Sequence, residues 1–195
     1  MCEYACASAD TNIAPQDDWP GSINVAEGKN PALCTGGKGG RGAGPVYEFL
    51  DNNPSMHSAP VQIGNDPRHI SKNDMVMSVN ATLQVDLSGA CNSEHVLGRQ
   101  FSGSGGQLDF VQGASASQGG KSMIACRSTA KDGTISRIVS KLEGPVTTPR
   151  NDTHIVVTEY GPIDLRGKSL SQRADALISI AHPKFRSGLA SEALA

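Results

Sequence analysis

Ser102-Gly103-Ser104-Gly105-Gly106-Gln107-Leu108-Asp109-Phe110 is the stretch on which the reading of this chain turns. Glycines at 103, 105 and 106 leave a run of backbone without Cβ atoms, able to turn sharply and to present N–H groups to a bound anion or oxyanion. A glycine-rich loop alone reads equally as a flexible connector, so its meaning comes from its surroundings. Downstream, Thr158-Glu159-Tyr160-Gly161-Pro162-Ile163-Asp164-Leu165-Arg166-Gly167-Lys168-Ser169-Leu170 leads into the best-defined element of the chain. Ser169 and Gln172 form an S-x-x-Q capping box, and Leu170, Ala174, Leu177, Ile178 and Ala181 keep the spacing of one buried helix face. Pro183 is expected to end that helix.

Strand signals lie on both sides of the glycine run. Val76, Val79, Leu83, Val85 and Leu87 mark a hairpin or long strand region. Residues 122–128 and 135–142 read as further strands separated by the turn Lys131-Asp132-Gly133. His154-Ile155-Val156-Val157-Thr158 is β-branched and apolar, as a buried strand requires. Val46 to Leu50 reads as the end of a short helix stopped by Asp51-Asn52-Asn53-Pro54. Strands interleaved with helices indicate an α/β domain.

Residues 1–44 differ from the rest. Asp10 to Glu27 carries four acidic residues and two prolines without an apolar period, and six of the ten residues from Thr35 to Gly44 are glycine. Such composition cannot offset the entropy of ordering, so this segment is expected to be disordered and residues 45–195 to form the folded domain. Gly36 to Gly44 lacks the G-x-x-x-x-G-K-[ST] spacing of a phosphate loop and reads as a linker. The net charge of −2 is set by 17 basic and 19 acidic residues without a basic run, which argues against a nucleic-acid partner. No apolar stretch is long enough to span a bilayer and residues 1–10 lack a signal-peptide pattern, so the expected compartment is cytoplasmic, with no membrane partner. The five cysteines include no C-x-x-C pair, and the five histidines lack ligand spacing, so free thiols and no metal site are expected.

The separated blocks carry a family resemblance. Tyr47-Glu48-Phe49-Leu50-Asp51-Asn52-Asn53-Pro54, Asn65-Asp66-Pro67-Arg68-His69-Ile70-Ser71-Lys72-Asn73-Asp74, Ser78-Val79-Asn80-Ala81-Thr82-Leu83-Gln84-Val85-Asp86 and Thr147-Thr148-Pro149-Arg150-Asn151-Asp152 stand in register with the two blocks above. Together they resemble the C-terminal domain of the acetyl-CoA hydrolase/transferase family, which includes 4-hydroxybutyrate and succinyl-CoA:acetate CoA-transferases. The resemblance implies an open mixed sheet flanked by helices, the C-terminal half of a CoA-transferase-like fold. It implies acyl-CoA and a short-chain carboxylate as substrates, with coenzyme A bound as substrate rather than as a tightly held cofactor.

By the same resemblance, CoA moves through a glutamyl-CoA intermediate, and fixed donors stabilise the oxyanion of each addition. Asn65 matches the asparagine whose side-chain amide serves the oxyanion hole, and Gly106 matches the backbone N–H that completes it. Ser102, Gly103, Gly105 and Gly106 of the loop, with Leu83 and Lys131, match positions that contact CoA. Without the resemblance, Asn65 reads as an Asx-turn residue before proline and Lys131 as an exposed turn lysine. Glu159 reads as a packing element, Asp164 and Arg166 as an ion pair ordering the loop before the helix, and His182 as a helix-end histidine meeting free carbonyls.

One departure stands out. The nucleophilic glutamate of the family lies ahead of Asn-Asp-Pro in a block like H-(T/S)-E-(M/L)-x-S-D-G, where this chain reads Ala9-Asp10-Thr11-Asn12-Ile13-Ala14. The expected partner is therefore the missing N-terminal CoA-transferase domain, with a homo-oligomer left open. A gene fragment, a frame-shifted product and half of a split enzyme all fit this reading. So does a non-catalytic CoA-binding or scaffold remnant.

Overall fold

The computed structural model describes residues 61–96 and 98–193, together with the backbone of three strands at 4–8, 24–25 and 32–35. The expected helix end at 46–50 and most of the segment expected to be disordered lie outside these residues. The elements in chain order are β1 (Tyr4–Ser8), β2 (Asn24–Val25), β3 (Ala32–Thr35), α1 (Val61–Gly64), α2 (Pro67–Ile70), β4 (Val76–Ala81), β5 (Gln84–Asp86), β6 (Cys91–Asn92), β7 (His95–Val96) and β8 (Arg99–Gln100). They continue with α3 (Gln107–Ala116), β9 (Lys121–Ala125), β10 (Thr129–Ala130), β11 (Ile135–Ser136), β12 (Ile138–Val139), β13 (Ile155–Thr158), β14 (Gly161–Asp164), α4 (Leu170–Ser179) and α5 (Pro183–Ala193). They divide into two compact units, 1–79 with 109–121, and 80–108 with 122–195.

In the first unit β2, β3, β1 and β4 pair antiparallel in that order, with Ala5 opposite Ser78 across β1 and β4. Ile70, Val76, Phe110 and Ala114 form the apolar cluster beneath α3. Gly113 is required there, because a Cβ would meet Ile70 Cγ2 at 2.5 Å. Ser117 ties the ends together: its hydroxyl donates to Asn73 O at 2.6 Å and accepts from Val76 N at 3.1 Å. Asp66 caps α2 by accepting from Arg68 N, with Pro67 at the start of the helix, where its missing N–H costs nothing.

In the second unit β13 runs parallel to β9 and antiparallel to β14, giving an open mixed sheet of β-branched strands. Helix α4 starts at the expected capping box: Ser169 Oγ accepts from Gln172 N, and Gln172 Oε1 accepts from Ser169 N. Its Leu177 is fully buried, and the Thr158 hydroxyl donates to Ile180 O at 2.7 Å just beyond its end. A second small sheet joins β12 parallel to β5 and β5 antiparallel to β6.

Three sequence expectations change. The 76–87 region is not a hairpin: β4 and β5 belong to different sheets, and Thr82 N donates to Ala125 O while Leu83 N donates to Asn92 O. The strand expected at 135–142 is broken into β11, paired with β10, and β12, paired with β5. Pro183 opens helix α5 rather than merely ending α4, which stops at Ser179. Its fixed φ suits a first helical position as well as it forbids an interior one.

Candidate functional site

Leu83 and Lys131 come together. They border one pocket of about 120 Å³ in the second unit, whose apolar wall is Leu83, Val96, Ala130 and Ile135. Lys131 reaches it from a tight turn in which Lys131, Asp132 and Gly133 all take left-handed φ values of 47°, 54° and 84°. Lys131 is exposed there, a solvated point charge at the rim. Arg137 completes the cationic side of the pocket, His95 also borders it, and no carboxylate lines it.

Sequence reasoning missed both of these. Arg137 is half-buried and its backbone is fixed on two sides, donating from N to Ser128 O and accepting at O from Val85 N, each at 2.9 Å. Its guanidinium makes one long bond, Nη1 to Thr82 O at 3.4 Å, and its buried Nε has no acceptor. The available signal was a cation set within Ile135-Ser136-Arg137-Ile138-Val139, an otherwise strand-like run. His95 is positioned by Asn92, which accepts from His95 N at 3.0 Å and donates to His95 O at 2.8 Å. Gly144 makes room for the ring, since a Cβ there would meet His95 Nδ1 at 2.6 Å.

The glycine run is anchored at its start. Phe101 N and Ser102 N both donate to Glu94 O, at 2.7 and 3.2 Å, and Gln100 Nε2 donates to Ser102 O at 2.7 Å. The Ser102 hydroxyl is engaged with Gly103 O at 3.1 Å. A Cβ on Gly103 would meet nothing within 4 Å, and Gly105 has φ 63°, a left-handed value that suits glycine. Gly106 is buried and immediately precedes Gln107, the first residue of α3. Gln107 is itself buried and held by Nε2 donating to Thr148 Oγ1 at 2.9 Å.

Asn65 belongs to the first unit, where it follows α1 and borders an open depression of about 350 Å³ with Asp66, Arg68 and Asp109. The Asx cap in this motif is made by Asp66, and the Asn65 side-chain amide makes no hydrogen bond to a described residue. The hydrogen bond from the Arg68 side chain holds the Asp66 carboxyl below its ordinary value.

The remaining candidates are structural. Glu159 braces the backbone: Ser128 Oγ and N donate to its two oxygens at 2.6 and 2.8 Å. Burial acts to raise the Glu159 pKa, and those two bonds outweigh it and lower it. Asp164 does not pair with the Arg166 guanidinium. It accepts from Arg166 N at 2.8 Å and faces His154 Nε2 at 3.5 Å. His182 serves the start of α5 rather than the end of α4, its Nδ1 accepting from Lys184 N at 3.2 Å. Among the described residues no three His, Cys, Asp or Glu side chains form a metal-holding group, and no helix is long and apolar enough to cross a membrane.

Residues 42–193 match the family model of the acetyl-CoA hydrolase/transferase C-terminal domain. The chain is 53% identical over 150 residues to succinyl-CoA:cyclohexane-1-carboxylate CoA transferase of Geobacter metallireducens, covering 76% of this chain and 34% of that protein. It is 49% identical over 153 residues to 4-hydroxybutyrate coenzyme A transferase of Clostridium kluyveri, covering 77% and 36%. The crystal structure of RipA from Yersinia pestis superposes with a TM-score of 0.73 at 57% identity, covering 77% of this chain and 34% of RipA. The chain thus spans about a third of the length of the curated relatives it matches.

Proposed function

This chain belongs to the acetyl-CoA hydrolase/transferase C-terminal domain family, and on that premise we propose that it forms the CoA-contact and oxyanion-stabilising part of an enzyme moving CoA between a short-chain acyl-CoA and a carboxylate acceptor. The observation that carries this reading is the meeting of Leu83 and Lys131, distant in sequence, at one apolar-walled, cation-rimmed pocket. The family domain begins in this reading at residue 45, with 1–44 outside it.

In the proposed reaction a glutamate carboxylate from the remainder of the enzyme attacks the thioester carbonyl and releases CoA thiolate, leaving a mixed anhydride. The thiolate attacks the glutamyl carbonyl, expels the acyl group as its carboxylate and forms a glutamyl-CoA thioester. An acceptor carboxylate then runs the two steps in reverse. Asn65 Nδ2 and Gly106 N–H stabilise the oxyanion of each addition. The Asn65 amide, uncommitted among the described residues, supports its role.

The test combines this chain with the segment of the C. kluyveri 4-hydroxybutyrate CoA-transferase that precedes its matched portion. CoA exchange between butyryl-CoA and acetate is then followed chromatographically. Exchange should appear, and Asn65→Ala should lower kcat by about 10²–10³-fold. A pair that assembles and binds CoA without exchange would leave only the non-catalytic CoA-binding reading. Full turnover with Asn65→Ala would remove the oxyanion role.

A further inference from the structure

The block Thr147-Thr148-Pro149-Arg150 carries no group of the proposed reaction, yet in the second unit it braces both ends of the glycine run. Ahead of the run, the Thr147 hydroxyl accepts from Ser93 N at 2.9 Å and donates to Glu94 Oε2 at 3.2 Å. Glu94 O is in turn the acceptor that holds Phe101 N and Ser102 N. Behind the run, Thr148 Oγ1 accepts from Gln107 Nε2 at 2.9 Å, and Gln107 directly follows Gly106. The two threonines are themselves fixed. Thr147 N and Thr148 N both donate to Cys91 O, at 2.8 and 3.2 Å, and Thr148 O accepts from Cys91 N at 2.9 Å. Pro149 further disfavours helical backbone at Thr148.

We propose that Thr148 and Gln107 are positioning residues whose hydrogen bond aims the Gly106 N–H at the oxyanion; this rests on the oxyanion reading above. The bond joins residues 41 apart in sequence, and both side chains are fully buried, so water does not compete for it. A run of glycines has no side chains with which to hold itself, and its geometry is set by its ends. A backbone donor stabilises an oxyanion best when it needs no reorganisation during reaction, which such a frame supplies. Packing alone does not account for glutamine at 107. Its Oε1 is buried without a hydrogen-bond partner among the described residues, a cost that methionine, of similar shape, would avoid. What glutamine supplies in return is one directional bond to Thr148.

The experiment uses the 195-residue chain, alone and paired with the preceding segment of the C. kluyveri transferase. In the isotopically labelled chain alone, Thr148→Val should speed amide exchange at Gly106 about tenfold and leave that at Val156 unchanged. In the pair, the same variant should lower kcat about tenfold and hold KM for butyryl-CoA within about twofold. Thr148→Ser, which keeps the hydroxyl, should restore both readouts. Should Thr148→Val not fold, Thr148→Val combined with Gln107→Met, which removes the stranded amide as well, is read in the same way. Unchanged exchange at Gly106, or unchanged kcat in a pair that Asn65→Ala does slow, would overturn the positioning role and leave the oxyanion reading standing. Full turnover with Asn65→Ala, or no CoA exchange by the parent pair, would bring down both.

Discussion

Cys91 and Cys126 show how burial sets the chemistry of a side chain. Burial pushes the Cys91 thiol up to about 12 and the Cys126 thiol up to about 11, against an ordinary value of 9.0. The thiolate is the reactive form, so neither should be alkylated by iodoacetamide in the native protein at pH 8, and both should react once denatured. Because both folded values are raised, the associated stability is present below pH 9 and is lost as pH rises toward 11–12. Mass spectrometry after native labelling checks the first point, and urea midpoints between pH 8 and 10.5 the second. At this scale the sequence was legible where a local motif fixes a bond, as in the Ser169 and Gln172 capping box. It was illegible where a partner is chosen by three-dimensional proximity: Asp164 takes His154 instead of the Arg166 guanidinium, and Arg137, whose backbone bonds Ser128 and Val85, borders the pocket.

Helix α4 is the element that local sequence specifies most completely. Both halves of its capping box form, so Ser169→Ala should cost about 1 kcal/mol in urea unfolding. Gly120→Ala should cost more, about 2 kcal/mol or above, because its Cβ would lie 2.2 Å from Ala114 O, a backbone atom that cannot step aside. A smaller effect at Gly120 than at Ser169 would contradict the close approach of Gly120 to the Ala114 carbonyl of α3. Helix α5 escaped the sequence reading because proline punctuates both ends of helices, and only the chain beyond it says which. The broken strands at 135–139 escaped because residues with the same β-branched character pair with two different neighbours, a choice made by long-range contacts and not by propensity.

At the scale of the whole molecule, the family assignment rests on blocks spread along the chain, and the match over 42–193 agrees with where those blocks lie. The open mixed sheet followed from that resemblance more than from periodicity, since many strands here are two residues long and carry no alternation of their own. The chain spans about a third of its relatives, and on the proposed function its pocket would supply only part of a CoA surface. Few charge-assisted contacts must offset the ordering of a long flexible ligand, and binding on the order of millimolar follows. Titration of the isolated chain with CoA, compared between the parent protein and Lys131→Ala, measures this most directly. Millimolar binding that shifts the Leu83 and Lys131 amides and weakens in Lys131→Ala is the predicted result; micromolar binding that Lys131→Ala leaves unchanged would contradict it.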